Sequence, residues 1–152
     1  MLITIIIPCY NEIHTLSKII ELINRQNYID KEIILVDDCS TDGTRDLIKN
    51  NIYKQVSKVI YHDKNLGKGA AIRSGLKLAS GDVILIQDAD LEYNPNNYSD
   101  LLRPIIDGKA DVVYGSRFIG SGPSRSLYFW NMVGNKAVTL LCNIVTNLNL
   151  TD

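Results

Sequence analysis

The sequence predicts an α/β layered fold built around a mostly parallel central sheet. Short, almost continuously apolar runs alternate with segments whose apolar residues recur at helical spacing, and polar residues gather where each apolar run ends. Unbroken apolar runs suit strands covered by helices on both faces. Strand–helix alternation is the pattern of parallel βαβ units.

Leu2 to Pro8 is an Ile-rich run that reads as a buried strand. Leu16, Ile19, Ile20 and Ile23 then fall on one face of a helix. Glu32 to Asp37 holds Ile33, Ile34, Leu35 and Val36, a second strand. Asp42-Gly43 opens a short helix reaching about Asn50, and Lys58 to His62 is a third strand. Lys68 to Ala79 reads as a helix packing through Ala70, Ala71, Ile72, Leu76 and Ala79. Asp82 to Gln87 is a fourth strand, Pro95 introduces a helix over Asn96 to Ile106, and Asp111 to Tyr114 is a fifth strand. From Leu127 to Leu148 the chain is apolar and aromatic, with Tyr128-Phe129-Trp130 at its head, but Asn131, Asn135, Lys136 and Asn143 interrupt it. A membrane span wants roughly 20 nearly unbroken apolar residues. An interior helix or an interfacial helix facing lipid fits this stretch better.

At 152 residues the chain has room for one domain, residues 1–152, without repeats or linkers. Hydrophobic residues make up 45% and charged residues 22%, a globular composition. Lys+Arg 16 against Asp+Glu 17 gives a formal net charge of -1, which argues against nucleic acid as a partner because phosphate binding needs a cationic excess. Cys9, Cys39 and Cys142 are far apart and form neither a zinc spacing nor a disulfide framework, so a reducing, cytoplasmic setting is expected. No basic segment precedes the first apolar run, so no signal peptide is expected. The chain stops at Thr151-Asp152 with no capping glycine, which reads as a C-terminally truncated domain.

In open α/β sheets ligands bind beyond the carboxyl ends of the strands. The five strand exits here carry Pro8-Cys9-Tyr10-Asn11-Glu12, Asp37-Asp38, Asn65-Leu66-Gly67-Lys68-Gly69, Asp88-Ala89-Asp90-Leu91-Glu92 and Gly115-Ser116-Arg117. Asp88 and Asp90 can turn toward one point as the chain leaves its strand. They suit a hard divalent cation, Mg²⁺ or Mn²⁺, shared with substrate phosphates, and Glu92 can add a third oxygen. Adjacent Asp37 and Asp38 need donors nearby, which a nucleoside's ribose hydroxyls and ring N–H would supply; the other role is to cap the following helix, for which Ser40, Thr41 and Asp42 are better placed. Gly67-Lys68-Gly69 is neither a Walker A loop nor a dinucleotide fingerprint, which leaves a flexible loop with one cation at a helix N-terminus, an anion site. Arg117 either binds a phosphate or is a surface arginine. His14 and His62 form no Ser-His-Asp or Cys-His order, so covalent hydrolase chemistry is not expected.

Taken together and in order, Ile7-Pro8-Cys9-Tyr10-Asn11-Glu12, Asp37-Asp38, Asn65-x-Gly67-Lys68-Gly69, Asp88-Ala89-Asp90 and Gly115-Ser116-Arg117 resemble the family-2 inverting glycosyltransferases. Within that family the chain is most similar to the dolichol-phosphate (polyprenyl-phosphate) mannose and glucose synthases. Cys9 departs from the family's usual Ala or Thr, which is also small. The resemblance implies a GT-A fold, the Rossmann-like fold of nucleotide-diphospho-sugar transferases. It implies that Pro8, Tyr10, Glu12 and Asp38 line the nucleoside pocket with Asp37 close by, and that Lys68 lies near the diphosphate. Asp88, Ala89 and Asp90 would be the family's Asp-x-Asp motif at ribose and metal. Glu92 falls where this branch often has a metal-shell Gln, Arg117 would face the acceptor phosphate, and Asp152 matches an aspartate proposed as a base.

The function so implied is transfer of a sugar from a UDP- or GDP-sugar to an acceptor such as a polyprenyl or dolichyl phosphate, with inversion and a divalent metal. The protein would be cytoplasmic or peripheral on the cytoplasmic membrane face, and either self-association through residues 127–148 or a poorly ordered helix there is expected. Family members continue past this point. A sugar-nucleotide-binding fragment without catalysis and a nucleotidyltransferase are the alternatives; the latter would usually carry a basic glycine-rich loop at the first strand, where this chain has Pro8 to Glu12.

Overall fold

The computed structural model describes residues 1–27, 29–115 and 129–146. It divides into two compact units, Met1–Tyr98 and Ser99–Asp152.

The first unit is a parallel sheet of four strands in the order β3-β2-β1-β4. β1 (Leu2–Cys9) pairs with β2 (Asp30–Asp37) from Leu2↔Asp30 to Cys9↔Asp37, and with β4 (Val83–Ile86) from Ile3↔Val83 to Ile6↔Ile86. β3 (Lys58–Tyr61) pairs with β2 from Ile34↔Lys58 to Asp37↔Tyr61. β1 is internal and loses its exposed face: Ile3, Ile5, Ile6 and Ile7 are all buried. That is why its sequence does not alternate.

Helices follow the strands. α1 (Leu16–Asn24) buries Leu16, Ile19, Ile20 and Ile23, the i, i+3, i+4, i+7 face read from the sequence. α2 (Thr44–Leu47) runs directly into a π-helical turn, Ile48–Ile52, which buries Ile48 and Ile52. α3 (Lys68–Leu76) ends three residues before the expected Ala79. Its buried residues are Ala71 and Gly75, and the expected packing residue Leu76 is 45% exposed. The reason is close approach: a Cβ on Gly75 would fall 2.6 Å from Ile6 Cγ2 of β1, so α3 lies down on its small residues. A 3-10 turn (Pro95–Asn97), capped by the Asn94 side chain, leads into α4 (Tyr98–Ile106).

Below the strands' amino ends, Glu32 ties four segments together. Its carboxylate accepts from Thr4 Oγ1 at 2.7 Å, Ser80 N at 2.9 Å, Ser80 Oγ at 3.0 Å and Lys58 Nζ at 2.7 Å. Burial would push its carboxyl up, but Lys58, Thr4 and Ser80 outweigh this and bring it down to about 2.

In the second unit the expected strand over Asp111 to Tyr114 does not form. These residues join no ladder, and Val112 and Tyr114 are 64% and 69% exposed. A strand exists only with a partner, and four residues of β-like composition do not supply one. α5 (Phe129–Thr146) realises the core of the apolar stretch as one helix. Val138, Leu140, Leu141, Ile144 and Val145 are all exposed along it. Among the described residues, no helix is long and apolar enough to cross a membrane.

Candidate active site

With strand order β3-β2-β1-β4, the chain steps outward to one side of β1 and later returns to its other side. The crevice beyond the carboxyl ends of β1 and β4 is therefore the topological switch point, where α/β sheets bind ligands. A cavity of about 290 Å³ opens there. Pro8, Cys9, Tyr10 and Glu12 come to it from β1, Asp38 from β2, Asn65, Gly67, Lys68 and Ala71 from the start of α3, and Asp88, Ala89 and Asp90 from β4.

The wall after β1 is held by cross-loop hydrogen bonds. Asn11 adopts φ 58, a left-handed conformation that Asn tolerates, and its Oδ1 accepts from Thr41 N at 2.8 Å. Asn11 N donates to Ser40 Oγ at 2.9 Å, and Glu12 N donates to Thr44 Oγ1 at 2.9 Å. Asp42 closes the arrangement by accepting from Thr44 N and Ile13 N. Burial would raise its carboxyl, but Thr44 and Ile13 donate to it and the net effect is a lowered value. Tyr10 stands 46% exposed at the mouth, as a ring available for stacking would.

The two aspartates at the end of β2 part company, because consecutive residues leave a strand on opposite faces. Asp38 lines the cavity. The sequence placed Asp37 beside the nucleoside, but Asp37 is fully buried outside the cavity lining. Its carboxylate takes Arg45 Nε at 2.6 Å and Ser40 N at 3.2 Å. Asp37 braces the loop and does not face the ligand space.

At the β4 exit, Lys68 Nζ sits 2.7 Å from both carboxylate oxygens of Asp88. Asp90 Oδ1 accepts from Glu92 N at 3.0 Å in a tight turn, and Leu91 follows with φ 66. Buried Gln87 secures the loop, donating through Nε2 to Asp88 O and Tyr93 O and accepting from Tyr98 Oη. The expected trio of Asp88, Asp90 and Glu92 is not gathered into a metal cluster. Glu92 is exposed outside the cavity lining, and among the described residues no three His, Cys, Asp or Glu side chains come together as a metal site. Two carboxylates on one wall suit an ion that takes its remaining oxygens from a substrate and water. Arg117 and Asp152 lie outside the described residues.

Sequence reasoning assigned no role at the site to Cys9, Ala71, Gln87 or His62. Cys9 is buried in the wall, and burial, then Asp37, Glu12 and Asp42, push its thiol above the usual range. A polar Gln ending an apolar strand was the signal for Gln87. For His62 nothing local was available; its partners come from other segments.

The profile of Glycosyl transferase family 2 matches residues 4–145. The chain belongs to that family. A dolichol-phosphate mannosyltransferase of Pyrococcus furiosus is 33% identical over 145 residues, which is 95% of this chain and 41% of that protein. A UDP-N-acetylglucosamine–dolichyl-phosphate N-acetylglucosaminyltransferase of Methanococcus voltae is 30% identical, covering 99% of this chain and 66% of its own length. The chain thus spans less than two thirds of the length of either relative. Among solved structures, a mannosyltransferase from Pyrobaculum calidifontis in complex with GDP-Man and Mn²⁺ superposes with a TM-score of 0.53 and 29% identity, over 58% of this chain and 27% of that one. The fold is that of the GT-A glycosyltransferases, of which this chain covers part. Family membership sets aside the nucleotidyltransferase alternative.

Proposed function

We propose that the chain is the donor-binding half, with the start of the acceptor region, of a single catalytic domain. That domain moves a sugar from a UDP- or GDP-sugar to a polyprenyl or dolichyl phosphate with inversion. The observation that supports this best is the switch-point cavity, whose lining brings the Lys68–Asp88 pair and Asp90 together with Asp38 and Tyr10. Cation and carboxylates together suit a diphosphate with its metal, and a ring and a carboxylate suit a nucleoside. Relatives that act on dolichyl phosphates supply the acceptor class.

In this reading Tyr10, Pro8, Glu12 and Asp38 hold the nucleoside, and Lys68 leans on the diphosphate. Asp88 and Asp90, with Ala89 between them, would hold Mg²⁺ or Mn²⁺. That ion would neutralise charge on the departing diphosphate. An acceptor phosphate oxygen bonds to the anomeric carbon from the face opposite the diphosphate. The anomeric C–O bond breaks as it does so, and its electron pair leaves with the nucleoside diphosphate. A phosphate acceptor is already ionised near neutral pH, so positioning matters more than proton removal. Arg117 would steady that phosphate. Asp152 would serve as base for a hydroxyl acceptor. The protein would work at the cytoplasmic membrane surface, where such lipids are presented.

The test is calorimetric titration with GDP- and UDP-sugars, with and without Mn²⁺. The parent should bind one donor class more tightly with the ion, and Asp90→Ala should lose the ion-dependent part while its circular dichroism is unchanged. Equal, ion-independent affinity in parent and variant would overturn the metal assignment. Sugar transfer to a polyprenyl phosphate separates an enzyme from a non-catalytic binding fragment.

A further inference from the structure

We propose that His62 is a positioning residue of this cavity: it holds the Asp38 carboxylate and, through it, the Leu66-Gly67 loop that presents Lys68. The inference rests on the donor-site reading and adds a residue that the sequence left without a role.

His62 follows β3 and is only 8% exposed, whereas His14 is exposed. Its backbone is pinned on both sides: its N–H donates to Asp37 O at 2.9 Å, and its carbonyl accepts from Arg45 Nη2 at 2.6 Å. The ring then spans two elements, with Nδ1 2.7 Å from Asp38 Oδ1 and Nε2 2.9 Å from Ser74 Oγ on α3. Asp38 passes the constraint on. Its Oδ1 also accepts from Leu66 N at 2.9 Å, and its Oδ2 accepts from Gly67 N at 2.7 Å. Gly67 sits at φ 83, a conformation other residues resist, immediately before Lys68, whose ammonium pairs with Asp88 across the cavity.

The chemistry assigns the roles. Asp38 is 3% exposed, and a buried carboxylate must find donors. Burial alone would raise it, but the His62 hydrogen bond and the two amides bring it below the ordinary range, so it is ionised and only accepts. Nδ1 therefore carries a proton and donates. In the neutral ring Nε2 accepts from the Ser74 hydroxyl, which fixes the tautomer. Three of the carboxylate's accepting positions are thus committed within the protein. Asp38 meets a ligand already oriented, and His62 is the side chain that orients it.

The experiment uses the full chain with His62→Ala, His62→Asn and Ser74→Ala. Asn places an N–H the same number of bonds from the backbone as Nδ1, so it restores the donor to Asp38 while giving up the Ser74 contact. Amide hydrogen exchange is read by NMR without ligand at Leu66 and Gly67, with Ile19 and Ile20 of α1 as controls. GDP and UDP with Mn²⁺ are titrated well below each variant's melting temperature. His62→Ala should lose protection at Leu66 and Gly67 but not in α1, and should bind the parent's preferred nucleotide about tenfold or more weakly. His62→Asn should recover most of both losses, and Ser74→Ala should show a smaller loss than His62→Ala. An alanine variant that keeps protection and affinity overturns the inference. So does an asparagine variant as impaired as alanine with α1 protection lost in parallel, which is the mark of a purely structural residue. A parent that binds neither nucleotide sinks the donor-site reading, and the ligand-free exchange then decides the role of His62 alone.

Discussion

Replacing Glu32 by Gln removes a charge from the base of the sheet while keeping the side chain's shape. The drop of its carboxyl from 4.5 to about 2 corresponds to about 3 kcal/mol favouring the ionised folded form, at 1.36 kcal/mol per pH unit. Lys58 is 41% exposed, so solvent screens its share and about 2 kcal/mol is the working figure. The folded value is depressed, so this stability is fully present above the unfolded value and is lost as pH falls toward the folded one. More than half of it should disappear between about pH 5 and pH 3. Urea unfolding followed by circular dichroism at pH 7, 5 and 3 measures it for parent and variant. Glu32→Gln should be about 2 kcal/mol less stable at pH 7, and the gap should narrow to under about 1 kcal/mol at pH 3. Other carboxylates titrate in the same window, but they do so in both proteins and cancel in the difference. A gap that stays constant from pH 7 to pH 3 would show that the ionised carboxylate contributes nothing, and the network would have to act through shape alone.

Three further outcomes are expected. Gly81→Ala would set a Cβ 2.7 Å from Thr4 N and 2.8 Å from Leu2 O, backbone atoms that cannot yield without moving β1, so a loss of about 1–3 kcal/mol should appear in its urea midpoint; an unchanged midpoint would mean the turn after α3 shifts freely. An aromatic disulfide reagent should label exposed Cys142 and half-buried Cys39 in the folded chain and reach Cys9 only on unfolding, as peptide mass mapping would show; labelling of Cys9 at the rate of Cys142 would mean that the cavity wall opens. The exposed apolar side chains of α5 should drive self-association, read by light scattering and relieved by Leu141→Glu; a parent that stays monomeric at tens of micromolar would refute this.

Where burial and placement depended on the order of residues along a strand and its exit, the sequence was enough. The Ile run of β1, the α1 face from Leu16 to Ile23 and the polar residues beyond each strand are local patterns of burial, and the parallel sheet follows from them. Tyr10, Glu12, Asp38, Lys68, Asp88 and Asp90 do line one cavity, because strand ends of a parallel sheet all point the same way. What tertiary structure alone decided is pairing and facing. Asp111 to Tyr114 has strand-like composition and no ladder, since a strand is completed by its neighbour. Leu76 looks like core but is displaced from it by Gly75, which lets the helix backbone close on Ile6. Asp37 and Asp38 are adjacent in sequence, yet one is locked to Arg45 and the other turns to the cavity. His62, Leu66 and Gly67 converge on Asp38 from positions 24 to 29 residues away, a separation over which periodicity and spacing carry no information, because the hydrogen bonds exist only once the chain has folded back on itself.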